Sequence, residues 1–195
     1  MRNEANAKLW HAFKQGSWEA YTRLYNEYYA VLNNYGYKFT RNSTLIEDAI
    51  HDLFVRLWTS RENLGIPVSI KNYLYKSLRN TLIRKIQSEN KFTAMHGSDY
   101  PSGFEVLYTG TAGAGIEEKQ FREKVQGIIN TLPARQKEII YLRFYEGLSY
   151  EEIADIMSIG ISSAYKLLYK ALENLQHIMG PTQLLAILSC FKYFL

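Results

Sequence analysis

The 195-residue chain reads as an all-α protein, two small helical domains joined by a flexible linker. Three features lead there. On both sides of the chain apolar residues recur at spacings of three and four, the helical period, with no strand-like alternation beyond about five residues. A single glycine-rich stretch interrupts the pattern. In the second half, Ser149-Tyr150-Glu151-Glu152 has the spacing of a capping box, in which the serine oxygen takes the amide three residues on and Glu152 reaches back.

In chain order, the first domain spans residues 1–90. Ser17 ahead of Trp18-Glu19-Ala20 opens an aromatic-rich helix with Tyr21, Leu24, Tyr25, Tyr28 and Leu32 as its core stripe, the tyrosine hydroxyls reaching the surface. The next amphipathic helix turns Ile46, Ala49, Ile50, Leu53, Leu57 and Trp58 inward and leaves Glu47, His51, Asp52 and Arg56 on other faces. A third runs from about Ser69 with Ile70, Leu74, Leu78, Leu82 and Ile86 inward. Residues 91–116 hold five of the chain's 12 glycines together with Pro101. Connections inside a compact domain run mostly about 4–6 residues, so this stretch predicts a flexible linker, with a reach of roughly 85 Å if fully extended.

The second domain spans 117–178. Leu132-Pro133 starts a helix through Arg143, because proline is tolerated in a first turn, and Gly147 ends the segment. The capping box then opens a short helix to about Met157, and a turn over 158–160 leads into a longer one with Ile161, Ala164, Leu167, Leu168, Ala171, Leu172 and Leu175 inward. A short helix, a tight turn and a longer helix make the helix-turn-helix layout. Its outward positions are Ser162, Ser163, Tyr165, Lys166, Tyr169 and Lys170, all able to hydrogen-bond.

Charge and composition narrow the function. The net charge of +4 sits in the first domain, which carries thirteen Lys and Arg against eight Asp and Glu, while residues 117–195 are balanced. A lone cysteine, Cys190, excludes an intramolecular disulfide framework and a Cys-based zinc cluster, and His11, His51, His96 and His177 lie far apart, so neither metal nor cofactor is expected. The acid sets Glu151-Glu152, which belong to a cap, and Asp48 with Asp52 carry no nucleophile–base arrangement, and no catalytic site is expected. The polar amino terminus lacks the apolar centre of a secretory signal, and the apolar carboxyl end is broken by Ser189 and Lys192. Together these predict a cytoplasmic protein without membrane insertion.

The helix from Ser69 carries Lys71, Lys76, Arg79, Arg84 and Lys85, then Lys91, against the single acid Glu89. Lys76, Arg79, Asn80 and Arg84 read as one basic face opposite the leucines, the electrostatic footprint of a phosphate backbone. Asn80 can pair with base edges, and Tyr73 and Tyr75 offer stacking platforms for unpaired bases.

Three blocks of the first half, LWHAFKQGSWEAYTRLYNEYY, IEDAIHDLFVRLW and NYLYKSLRNTLIRK, resemble region 2 of the extracytoplasmic-function group of sigma-70-type transcription initiation factors. LPARQKEIIYLRFYEGLSYEEIADIM and the helix after it resemble region 4. The resemblance covers residues 9–90 and 120–177. It implies a subunit that binds core RNA polymerase, directs it to promoter DNA and helps to open the duplex. The polymerase-binding face carries over to Asp48, His51, Asp52 and Arg56. Capture of a flipped base of the −10 element carries over to the loop 62–69, with Asn63 and the loop backbone as candidates. Alongside stand Tyr73, Lys76, Arg79, Asn80 and Arg84. Reading of the −35 element carries over to Ser162, Ser163, Tyr165, Lys166 and Lys170, with Arg143 on the DNA backbone.

The turn departs from the family's Gly-Ile-Ser pattern. Ser158-Ile159-Gly160 makes Gly160 the helix cap, whereas a frame slid by two residues would bury Lys166. The resemblance also implies a membrane-anchored anti-sigma factor as partner. The tail over 179–195, with TQLLAILSCFKYFL as its apolar part, reads equally as part of that contact or as a clamp between the domains, and Cys190 within it as a small apolar residue. The competing function is a stand-alone helix-turn-helix regulator, similar to response-regulator effector domains, that binds duplex DNA without polymerase.

Overall fold

The computed structural model describes residues 2–93, 103–106 and 116–179, and all the regular elements among them are helical. The chain divides into two compact units, Met1–His96 and Gly97–Leu195. The tail 180–195 with Cys190, and most of the glycine-rich stretch, lie outside the described residues.

The first unit holds α1 (Arg2–Lys14), α2 (Trp18–Gly36), α3 (Ser43–Thr59) and α4 (Ile70–Thr93). The segment of α1 is polar at its start, and its second half buries Leu9, Trp10 and Phe13. Gly16, at φ +87°, lets the chain turn out of α1, and Ser17 then caps α2 by accepting the Ala20 amide at 3.2 Å. Asn42 caps α3 by accepting from the Leu45 amide at 3.1 Å. α2 packs on α1, α3 and α4, and α3 on α4, around Leu24, Leu32, Tyr35, Ile46, Ile50, Leu74 and Leu78.

The α2–α3 approach depends on Gly36. A Cβ there would sit 2.5 Å from Cγ2 of Ile46, a fully buried, β-branched side chain with little rotamer freedom. Gly36→Ala is expected to cost about 1–3 kcal/mol through overpacking. Thermal denaturation measures it, and an unchanged melting temperature would contradict the tight approach.

The second unit holds α5 (Ile116–Asn130), α6 (Ala134–Ile140), α7 (Tyr150–Met157) and α8 (Ile161–Met179). The helix expected through Arg143 is α-helical only to Ile140. Residues 141–145 then widen into a π-type turn, in which the Glu146 amide donates to the Tyr141 carbonyl at 3.1 Å. Gly147 follows at φ +67°. The capping box forms in both directions, with the Glu152 amide donating to Ser149 Oγ at 3.2 Å and the Ser149 amide to Glu152 Oε2 at 2.8 Å. Ser158 adopts the left-handed conformation that closes α7. The Gly160 carbonyl accepts the amides of Ser163 and Ala164 at 2.9 and 3.0 Å, so α8 opens in the frame that leaves Lys166 exposed. α8 packs on α6 and α7 and buries Ala164, Leu168, Ala171 and Leu175.

Part of the glycine-rich stretch is packed. Phe104 is fully buried, with its ring 6.0 Å from that of Tyr141. The Asn130 side chain holds the backbone of Val106 both ways, accepting from its amide at 3.0 Å and donating to its carbonyl at 3.2 Å. A composition reading assigns one character to the whole stretch and so passes over two apolar residues able to find cover.

Candidate nucleic-acid interface

In the first unit α3 and α4 enclose a cleft of about 230 Å³, smaller than the roughly 300–1,000 Å³ of sites for drug-sized ligands and suited to one flat heterocycle. Tyr73, Asn80 and Arg84 line it from α4, Arg56 from α3 and Leu64 from the loop between them. Positions 73, 80 and 84 lie on one side of the helix, and the half-turn offset of the leucine stripe keeps that side out of the core. Arg84 Nε donates to the Asn80 carbonyl at 3.1 Å, which directs the guanidinium along the rim.

The loop beside the cleft is held at its root by α1. Trp10 Nε1 donates to the Gly65 carbonyl at 3.1 Å, and Lys14 Nζ donates to the Leu64 carbonyl. Beyond that root Ile66 and Val68 stand exposed on either side of Pro67, Val68 at 99%. Ser69 Oγ accepts the Asn72 amide at 3.3 Å and so starts α4 where the loop ends. Asn63 is exposed in the short turn before the loop, and its side chain does not line the cleft.

Two assignments on α4 change. Arg79, expected on the exposed basic face, is only 5% exposed and already has an interaction partner. One turn before it, Tyr75 is buried and stacked on Tyr35 of α2 at 4.4 Å, so it offers no platform to a base. The buried arc of α4 is wider than its leucine stripe and takes in Tyr75, covered by Tyr35 of α2, and Arg79. Lys76 and Tyr73 are half-buried, Tyr73 with its ring edge-on to Trp10 at 5.7 Å. The side chain of Lys91 lies outside the described residues.

Asp48, His51, Asp52 and Arg56 are all exposed along one side of α3, and Val55 joins them at 44% exposure. Lys85 of α4 reaches across to Asp52 at 2.9 Å. Its hydrogen bond, and then its charge with those of His51 and Arg56, hold the Asp52 carboxyl below the ordinary carboxylate value. A depressed folded-state pKa contributes stability above the unfolded pKa and loses it as the pH falls through the folded one. The pair is half-exposed, so that contribution is small. Lys85→Ala is expected to raise the Asp52 pKa toward its ordinary value in a carboxyl NMR titration; an unmoved titration would show that Lys85 is not its partner in solution.

In the second unit Ser162, Ser163, Tyr165, Lys166, Tyr169 and Lys170 are all exposed on α8. Arg143 is half-buried and donates to the Leu148 carbonyl at 2.7 Å. Its guanidinium lies 5.0 Å from the centre of the Tyr150 ring, and Tyr150 stacks on Tyr165 at 3.7 Å and 22°. Tyr150 was not among the expected site residues, and nothing in its spacing marks it, because only the α7–α8 turn brings it to Tyr165. Among the described residues no group of three or more His, Cys, Asp or Glu is placed to hold a metal ion, and no helix is long and apolar enough to cross a membrane.

Comparison with known proteins bears on both units. The family model for sigma-70 region 2 matches residues 24–92, and that for sigma-70 region 4 matches residues 122–175. The RNA polymerase sigma factor SigV of Bacillus subtilis is 28% identical over 137 residues, covering 70% of this chain and 77% of that protein. The ECF RNA polymerase sigma-E factor of Haemophilus influenzae is 24% identical over 178 residues, covering 86% and 92%. Among solved structures, CnrH in complex with the cytosolic domain of CnrY has a TM-score of 0.60 at 15% identity, covering 90% of this chain and 97% of that one. The sigma factor RpoE in complex with the anti-sigma factor NepR from Bartonella quintana has a TM-score of 0.57 at 18% identity, covering 81% and 95%.

Proposed function

Since the chain belongs to the sigma-70 family, in its extracytoplasmic-function group, and directs RNA polymerase to promoters without catalytic chemistry of its own, we propose which of its surfaces carries each part of that work. The exposed side of α3, with Asp48, His51, Asp52 and Arg56, docks on core polymerase. The cleft lined by Tyr73, Asn80 and Arg84, with the loop 62–69 beside it, holds a base extruded from the −10 element, and Lys76 and Arg84 meet its phosphates. Extrusion costs a few kcal/mol, which a base-sized cleft with a ring, an amide and a guanidinium on its walls can return. Asn63, exposed at the cleft's approach, makes a loop contact with the DNA. The first turns of α8 read the −35 element through Ser162, Ser163, Tyr165, Lys166 and Lys170. Residues 91–116 tether the modules, with their 103–106 part fixed to the second.

The observation that carries this reading is the cleft itself, a concave site on the helix whose outer face is basic. The chain acts in the cytoplasm, where polymerase is found. An anti-sigma factor restrains it, a reading supported by the structural neighbour RpoE, solved in complex with the anti-sigma factor NepR, and by CnrH, solved in complex with the cytosolic domain of CnrY.

The test uses the purified full chain, core RNA polymerase and a library of promoter-bearing genomic fragments. The chain should co-elute with core polymerase and protect fragments only in its presence. Failure to co-elute, with protection of duplex DNA by the chain alone, would instead establish a stand-alone regulator. The region 2 match over residues 24–92 weighs against that outcome, because such a regulator has no use for a polymerase-binding module.

A further inference from the structure

We propose that Tyr165 reads a thymine methyl group in the upstream promoter element, and that Tyr150 and Arg143 are positioning residues that hold its ring ready for that contact. The proposal rests on the reading of α8 as the promoter-reading helix and goes further, naming one base and the device that selects it.

The device is a three-layer stack. Arg143 forms its base, fixed by the 2.7 Å hydrogen bond from Nη1 to the Leu148 carbonyl. Its guanidinium carbon lies 5.0 Å from the centre of the Tyr150 ring, within cation–π range. Tyr150 is the first residue of α7, and the capping box closed by Ser149 and Glu152 fixes its backbone. The Tyr165 ring lies 3.7 Å from that of Tyr150 and 22° from parallel. Tyr165 remains 49% exposed. One ring face is therefore covered, and the uncovered part is presented on the outward side of α8.

A tyrosine on a helix surface ordinarily samples several rotamers and loses that freedom on binding. The stack removes the loss in advance. What it presents is a flat apolar surface, flanked by Ser162 and Lys166, which can supply polar contacts. Of the four bases only thymine offers an apolar group in the major groove, its C5-methyl. A ring fixed before binding discriminates for that methyl, and burying one such group is worth about fourfold in affinity. Arg143 thereby changes role. The resemblance implies a contact with the DNA backbone, whereas its guanidinium meets a carbonyl and a ring inside the unit.

Holoenzyme assembled from core polymerase and the full chain is first used to select upstream elements from a randomised duplex library. Each thymine of the selected element is then replaced by deoxyuridine, which removes only the methyl. One position is expected to lose about fourfold in affinity. Tyr165→Ala and Tyr150→Ala should bring the thymine-to-uracil ratio at that position to one. Tyr150→Phe and Tyr165→Phe should keep it, since stacking needs the ring and not the hydroxyl. Should Tyr150→Ala fold poorly, Tyr150→Leu fills the space without a flat ring and should also lose the ratio. A Tyr150 that merely stabilised the unit would weaken both duplexes equally, and that result overturns the proposal. So does an element in which no uracil substitution matters, or a Tyr150→Ala variant that keeps the ratio. Selection of no upstream element at all would overturn the reading of α8 together with this proposal, which separates the two failures.

Discussion

Trp10→Ala is expected to lower the stability of the first unit by about 3–5 kcal/mol, the range for deleting a large buried aromatic ring. Trp10 is 1% exposed and packs its ring 5.2 Å from that of Phe13 and 5.7 Å from that of Tyr73. It also donates to the Gly65 carbonyl at the root of the loop beside the cleft. The truncation thus opens a cavity and frees the loop together. Trp10→Phe separates the two effects. It keeps most of the packing, and because Gly65 is exposed its carbonyl can turn to water, so the lost hydrogen bond costs about 1 kcal/mol. Denaturant unfolding measures both variants, and permanganate reactivity of unpaired promoter thymines reports opening by the holoenzyme. Trp10→Phe is expected to stay folded while opening less; full opening would show that the loop needs no anchor at α1.

The second large effect separates two arginines of α4. Arg79→Ala is expected to destabilise the first unit by about 1–3 kcal/mol, because it strips the partners of a side chain that is 5% exposed. Promoter binding by whatever remains folded should keep its salt dependence. Arg84→Ala is expected to do the reverse. Arg84 is exposed at the cleft rim, so its loss should leave melting nearly unchanged, weaken promoter binding and lower the slope of log affinity against log salt by about one. Melting curves and binding across a salt series measure both variants. An Arg79→Ala protein with unchanged melting and a lowered slope would put Arg79 back on the phosphates.

That contrast shows what a helical period carries. Leu74, Leu78 and Leu82 are buried as the period requires. Positions 75 and 79 lie at the margin of that stripe, and their burial depends on whether a neighbouring helix covers the margin. At Tyr75 that neighbour is α2, through Tyr35. The outward set of α8 stays exposed, Tyr165 included although Tyr150 stacks on one of its ring faces, so that set is legible from the period. Trp10 gave no signal as part of a site, because its contribution is to a loop 55 residues away in sequence.

From its amino-acid order alone the chain determined its helical class, the caps at Ser17 and Ser149, the reading frame of α8 and the separation of a basic half from a neutral one. Each of these rests on interactions within a few residues, or on composition. Only the tertiary structure decided that Arg79 turns inward, that Phe104 and Val106 join the second unit, that Trp10 anchors the loop and that Tyr150 lies under Tyr165. These are contacts between segments distant along the chain or separated by a turn, and a local period cannot encode which neighbour arrives.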